Sequence, residues 1–153
     1  MSRGKFADRW AARPQAGGAR RLADLQDAIA AAPLFAEVPK RHLRSLALLS
    51  RVSSYPLGTE IVRQGTEGDT LYVVLEGEAR IVKGRRTIAR MKPGDFFGEL
   101  AIFDGEPRAA SVVAEGPVLC LKLEGPDFRK VLLREPRLGL KIMTAMARRL
   151  RES

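Results

Sequence analysis

Apolar positions along the chain change their period twice. From Leu22 to Ala32 they recur at Leu22, Leu25, Ala28, Ile29 and Ala32, the spacing of one helix face. Pro33 stops that helix. The next stretch, P-L-F-A-E-V-P, sets Leu34, Phe35 and Val38 between two prolines. Pro39 suits the first turn of a second helix, whose buried side is Leu43, Leu46, Ala47 and Leu49. From Arg51 onward the runs shorten. Arg51–Tyr55, Glu60–Arg63, Thr70–Leu75, Ala79–Val82, Thr87–Met91, Ala110–Ala114 and Val118–Leu123 read as strands. Between them lie Pro56-Leu57-Gly58, Gly65 to Gly68, Glu76-Gly77, Gly84 and Pro93-Gly94. Short strands so closely punctuated predict a sandwich or barrel. Helical spacing returns at Gly125-Pro126-Asp127, where Pro126 suits a first turn and Asp127 its positive end. Phe128, Val131 and Leu132 face inward there. Pro136 interrupts, and a last helix from about Arg137 to Arg151 carries Ile142, Met143, Met146, Ala147 and Leu150 as its apolar stripe.

At 153 residues and 45% apolar, the chain makes one domain with one core. No run of eighteen apolar residues is present, and the N-terminus lacks an apolar secretory core. It is rich in Arg and Ala, faintly like a transit peptide, but Ser2 is its only serine. The expected location is cytoplasmic. Cys120, the single cysteine, lies in an apolar run and reads as a buried, inert thiol. The net charge of +9 raises the question of nucleic acid, but residues 1–21 account for +5 of it. The folded remainder therefore reads as nearly balanced. Residues 1–21, with Pro14, Gly17 and Gly18, read as a flexible basic arm. Phe6 and Trp10 share a helix face beside Arg3, Arg9 and Arg13, the alternative being a docking motif for a partner or an acidic membrane.

The chemistry concentrates in Phe97 to Val112, F-G-E-L-A-I-F-D-G-E-P-R-A-A-S-V. Gly98 permits a turn that a side chain would hinder. Glu99 to Phe103 has the length of one short helix, whose early N–H groups at Leu100 and Ala101 suit an anion. Pro107 holds the chain extended before Arg108, whose planar fork suits a phosphate. Glu99 accepts protons from sugar hydroxyls. A ribose joined to one phosphate is the ligand such a pair serves. Catalysis finds no equipment: His42 is the one histidine, placed among Lys40, Arg41 and Arg44, and no Walker loop, G-x-S-x-G or Cys–His pair occurs.

This stretch resembles the phosphate-binding cassette of the cyclic nucleotide-binding domain family, F-G-E-[LI]-[AGC]-L, a gap, then P-R-[AST]-A-[ST]-V. Phe97, Gly98, Glu99, Leu100, Ala101, Pro107, Arg108, Ala110, Ser111 and Val112 fall in register, with Ile102 for the common Leu. Q-G-x-x-G-D-x-L-Y-V-V-L and P-G-D-F-F-G-E extend the likeness over about Pro33 to Leu150. The resemblance implies an α+β fold: an eight-stranded antiparallel jelly-roll β-barrel flanked by N-terminal helices and two C-terminal helices. It divides the chain into arm 1–21 and a domain at 22–153, with helices in 22–50, the barrel in 51–124 and C-terminal helices in 125–151. It assigns Glu99 to the ribose 2′-hydroxyl, Arg108 and the N–H groups of Leu100 and Ala101 to the cyclic phosphate, and Phe97, Gly98, Ala109 and Ala110 to the same site. Met91 is the strand candidate for base contact, with plain core packing equally weighted. Met143 and Met146 are lid candidates on the last helix.

Ala109 lacks the hydroxyl that relatives preferring cGMP use on guanine, so cAMP is the expected ligand and cGMP the alternative. The expected function is an intracellular, non-enzymatic sensor whose C-terminal helices close over the base and signal to an unidentified protein partner. The competing reading is an interaction domain with a non-responsive or differently selective pocket. A homodimer through the last helix is a further possibility. Sequence-specific DNA binding is not expected, since the chain ends at Ser153, where a helix-turn-helix would begin; a free-standing module and a fragment of a longer protein fit equally.

Overall fold

A computed structural model describes residues 18–36 and 38–152. Phe6, Trp10 and the arm up to residue 17 lie outside the described residues. Helix α1 spans Gly18–Ala31, a single 3-10 turn spans Pro33–Phe35, and α2 spans Lys40–Leu49. Eight strands and one short helix follow: β1 (Arg51–Tyr55), β2 (Glu60–Val62), β3 (Thr70–Glu76), β4 (Ala79–Lys83), β5 (Arg86–Met91), β6 (Phe96–Phe97), α3 (Glu99–Asp104), β7 (Ser111–Ala114) and β8 (Val118–Glu124). Helices α4 (Gly125–Arg134) and α5 (Pro136–Glu152) complete the chain.

The strands form two four-stranded sheets, ordered β1-β8-β3-β6 and β2-β7-β4-β5, with every pairing antiparallel. Within the first sheet, β3, β6 and β8 are buried on both faces, while β1 is a more exposed edge. Leu71, Val73, Phe96, Leu119, Leu121 and Leu123 face the helices, among Ile29, Phe35, Leu46, Phe128, Leu138 and Ile142. Tyr72, Val74, Phe97, Val118 and Cys120 face the second sheet, among Ala79, Met91, Val112 and Ala114. Strands covered on both faces read as unbroken apolar runs, which is why L-Y-V-V-L and V-L-C-L do not alternate. Each fully buried Val or Leu there contributes on the order of 1.5–3 kcal/mol. Cys120 is fully buried, and burial pushes its thiol up to about 12.

The fold class expected from the sequence is the one observed. Strand boundaries agree within two residues. One strand, β6, is absent from the sequence reading because two residues between Gly94 and Gly98 carry no periodicity. Helix α1 begins at Gly18, inside the stretch assigned to the arm. Pro39 caps α2 rather than occupying its first turn, and Leu49, expected inside, is 40% exposed. His42 is half-buried.

The larger correction concerns α5. Its inward line is Leu138 and Ile142, both buried, continued by the half-buried Ala145 and Arg149, with half-buried Met146 beside them. Met143 and Leu150, expected in the stripe, are 61% and 76% exposed. The helix packs on α4 and on the Pro33–Phe35 turn, and that contact selects a line rotated away from the one composition favours.

Candidate functional site

The site is built on a turn that only glycine tolerates. Gly98 has φ +91°, and an added Cβ would run into the Thr70 carbonyl oxygen and come within 2.8 Å of Arg108 Nη1. From this turn α3 starts at Glu99 with no side-chain cap. Its first-turn N–H groups therefore remain for solvent or a ligand. A second left-handed glycine, Gly105, ends α3, its N–H bonded to the Ala101 carbonyl at 3.0 Å. Arg129 of α4 donates to the Ile102 carbonyl at 2.8 Å and ties that end of the helix down.

Arg108 is 7% exposed, yet among the described residues no carboxylate pairs with it. Its Nη1 donates to the Gly98 carbonyl at 3.1 Å and its Nη2 to the Thr70 carbonyl at 3.2 Å. Its backbone is gripped on both sides by the 65–66 loop, N–H to Thr66 O and carbonyl from Gly65 N–H, each at 2.8 Å. The guanidinium lies 5.9 Å from the centre of the Tyr72 ring, which stacks on Phe97 with centroids 4.8 Å apart. Burial raises the Tyr72 phenol, and the Arg108 charge opposes part of that rise. Beside these groups opens a cavity of about 430 Å³, bounded by Glu60, Ile61, Val62, Arg63, Thr66, Glu67, Gly68, Thr70, Tyr72 and Arg108. An added Cβ on Gly68 would come within 3.0 Å of Arg108 Nη2, so the loop backbone passes close over the arginine.

Glu99 is 4% exposed and takes a different direction. Its Oε2 accepts from Arg149 Nη1 of α5 at 3.1 Å, and it is not among the residues bounding the cavity. Arg149 also donates to the Phe96 carbonyl, and its guanidinium sits 4.3 Å over the Phe96 ring. Arg108 reaches the carbonyl of Gly98, the neighbour of Glu99, so the two charged groups meet the same turn.

The other expected residues disperse. Leu100 is 45% exposed and Ala101 is buried. Ala109 is exposed and Ala110 half-buried. Met91 is 4% exposed in the core between the sheets, away from the cavity lining. Met143 is exposed and Met146 packs on the helical core. Ser111 Oγ is already taken by the Gln64 N–H at 2.8 Å. A smaller cleft of about 220 Å³ between α2 and α4, lined partly by His42, Asp127 and Arg134, lies away from these groups.

Two residues escaped the sequence reading, Arg149 and Arg129. Arg149 left a signal: it continues the Leu138, Ile142, Ala145 line at helical spacing, a cation on the inward face. Arg129 left none. Among the described residues no His, Cys, Asp or Glu cluster suits a metal, and no helix is long and apolar enough to cross a membrane.

Comparison with known proteins gives the family of the fold. The chain matches the cyclic nucleotide-binding domain family over residues 52–135. It is 34% identical over 115 residues to a cAMP-dependent protein kinase regulatory subunit of Yarrowia lipolytica, covering 75% of this chain and 31% of that protein. The regulatory domain of Toxoplasma gondii PKA, solved with cAMP, superposes with a TM-score of 0.77 at 28% identity, covering 92% of this chain and 55% of that one. The regulatory subunit of a cAMP-independent protein kinase A from Trypanosoma brucei superposes at 0.76 with 23% identity, over 85% of this chain and 47% of that one, a likeness of fold. This chain thus spans about a third to a half of the length of these relatives. With the match covering more than half its residues, the chain belongs to the cyclic nucleotide-binding domain family.

Proposed function

We propose that this domain is a cAMP sensor in which Arg108 and the first turn of α3 hold the cyclic phosphate and Glu99 holds the ribose. The observation that carries the reading is the state of Arg108. A guanidinium has five donors; here it is buried beside an open cavity and meets only two carbonyls. A cation so placed has no counter-anion among the described residues, and a phosphate supplies one through charge-assisted bonds. Tyr72, backed by its stack on Phe97, gives the cavity an apolar wall. Ala109 offers no hydroxyl to a guanine amino group, which supports adenine over guanine.

Signalling runs through Glu99. Its carboxylate is held by Arg149 of α5, so a ribose hydroxyl arriving there shares an acceptor with the last helix. Occupancy then biases the position of α5, a population shift set by the ligand's different affinity for the two arrangements. The partner that reads α5 is a protein, and the kinase named in the curated relative makes a kinase the first to try. Residues 22–153 act as the sensing unit.

Calorimetric titration should give saturable binding of cAMP, weaker for cGMP and weakest for AMP. Arg108→Ala should lower cAMP affinity by about 2 kcal/mol, close to thirty-fold, with Arg108→Lys intermediate and melting curves checking the fold. No binding at millimolar cAMP by a folded protein would end this reading. A second reading, a pocket answering to another ligand, is favoured by the Glu99 carboxylate being held by Arg149 and lying outside the cavity lining. A thermal shift with none of the three nucleotides would select it.

A further inference from the structure

The second sheet ends on β5, whose residues Arg86 to Arg90 are all exposed, only Met91 being buried. The β4–β5 hairpin from Ala79 to Lys92 carries six basic side chains, Arg80, Lys83, Arg85, Arg86, Arg90 and Lys92, and no acidic one. The excess charge of the folded part is thus locally concentrated and not evenly spread.

The strand register sets like against like: Arg80 lies opposite Arg90, and Lys83 opposite Arg86. Directly opposed like charges destabilise a strand pair. Glu115 neutralises Arg90, and Arg80 donates to Thr87 Oγ1 at 3.3 Å. Among the described residues no ion pair engages Lys83, Arg85 or Arg86. Protection of an edge strand does not require this. A bulge or a few charges suffice, and β5 already carries a register shift between its partners Ile81 and Val82. Lys83 and Arg86, opposed across the hairpin, and Arg85 beside them thus keep unneutralised charge among the described residues, a surface open to an anionic partner.

We propose that the β4–β5 hairpin is a docking surface for an acidic segment of a partner protein, gripped by Lys83, Arg85 and Arg86 around the exposed side chain of Ile88. Residues 79–92 include no aromatic side chain on which a base would stack, unlike a single-stranded nucleic-acid platform. They also hold no Trp or Tyr to anchor in a lipid interface. Ile88, 53% exposed between Arg86 and Arg90, gives one aliphatic contact inside the basic field, suited to carboxylates interleaved with apolar residues. The bulge disfavours addition of a full strand, so recognition runs through side chains. The chain's own residues 1–21 bear the same sign of charge and are not the occupant.

The test is a fluorescence-anisotropy titration of the whole chain with a labelled peptide of alternating glutamate and leucine. The peptide should bind saturably, weaken with salt, and bind about tenfold or more weakly to the K83E/R85E/R86E variant. The neutral K83Q/R85Q/R86Q variant should also bind weakly while melting no lower than the parent, since it relieves repulsion. Arg108→Ala should bind the peptide like the parent, which separates this surface from the nucleotide site. The proposal is overturned if the peptide fails to bind, if both variants bind it as the parent does, or if the neutral variant melts lower. Tighter hairpin-dependent binding to oligonucleotides or phosphatidylserine vesicles, or self-association abolished by the same variants, also overturns it.

Discussion

At the scale of single residues, charge pairing decides the site. Glu99 is almost fully buried, and a buried carboxylate without a partner is costly. Arg149 is its partner, and Arg149 keeps a third of its side chain in solvent. Screening therefore moderates the pair. Arg149→Ala should lower stability by about 1–2 kcal/mol, measured by urea unfolding. Adding Glu99→Gln to that variant should restore part of the loss, because the stranded charge is then gone. A double variant as unstable as the sum of the two singles would show that the pair contributes no coupling. The Glu–Arg chemistry of the turn was legible in the sequence, since F-G-E and P-R-A-A-S-V fix residue types and spacing. The direction in which Glu99 points was not, because it depends on a cation fifty residues away.

At the scale of elements, α5 separates pattern from packing. Its composition offers two apolar lines, one with Leu138 and Ile142, the other with Leu140, Met143, Ala147 and Leu150. The first is buried and the second exposed. Neighbouring residues should therefore respond oppositely to the same substitution. Ile142→Ala should cost on the order of 2–5 kcal/mol, whereas Met143→Ala should change stability by less than about 0.5 kcal/mol. Equal losses in thermal or urea unfolding would contradict the observed rotation of the helix. For the lid candidates, Met143 is exposed while Met146 packs inward. If α5 moves on ligand binding, Met143→Ala should weaken cAMP affinity without touching stability. β6 offers the complementary case, an element defined wholly by its partner: Tyr72 and Val73 pair with Phe97 and Phe96, and two residues alone specify no strand.

At the scale of the whole molecule, β3, β6 and β8 are sealed from both sides, and Cys120 sits within β8. Burial holds that thiol protonated up to about 12 against an ordinary value of 9.0. Below the lower value both folded and unfolded states keep the proton. Between the two values only the unfolded chain releases it, so stability should fall as pH rises through that window. Unfolding compared at about pH 8 and about pH 10.5 should show the decline, and Cys120→Ala should lessen it, the Tyr55 and Tyr72 phenols, also raised by burial, keeping the remainder. A parent and variant with the same alkaline slope would contradict the buried-thiol account.

The sequence by itself determined the class of fold, seven of the eight strands, the helical segments and the chemical character of the cassette. Those features are local: period, turn residues and motif spacing act within a few positions of one another. Only the tertiary structure decided which line of α5 turns inward, that Glu99 answers to Arg149, and that cations face each other across β4 and β5. Each of these depends on residues distant in the chain, and no periodicity encodes which distant surface an element will meet.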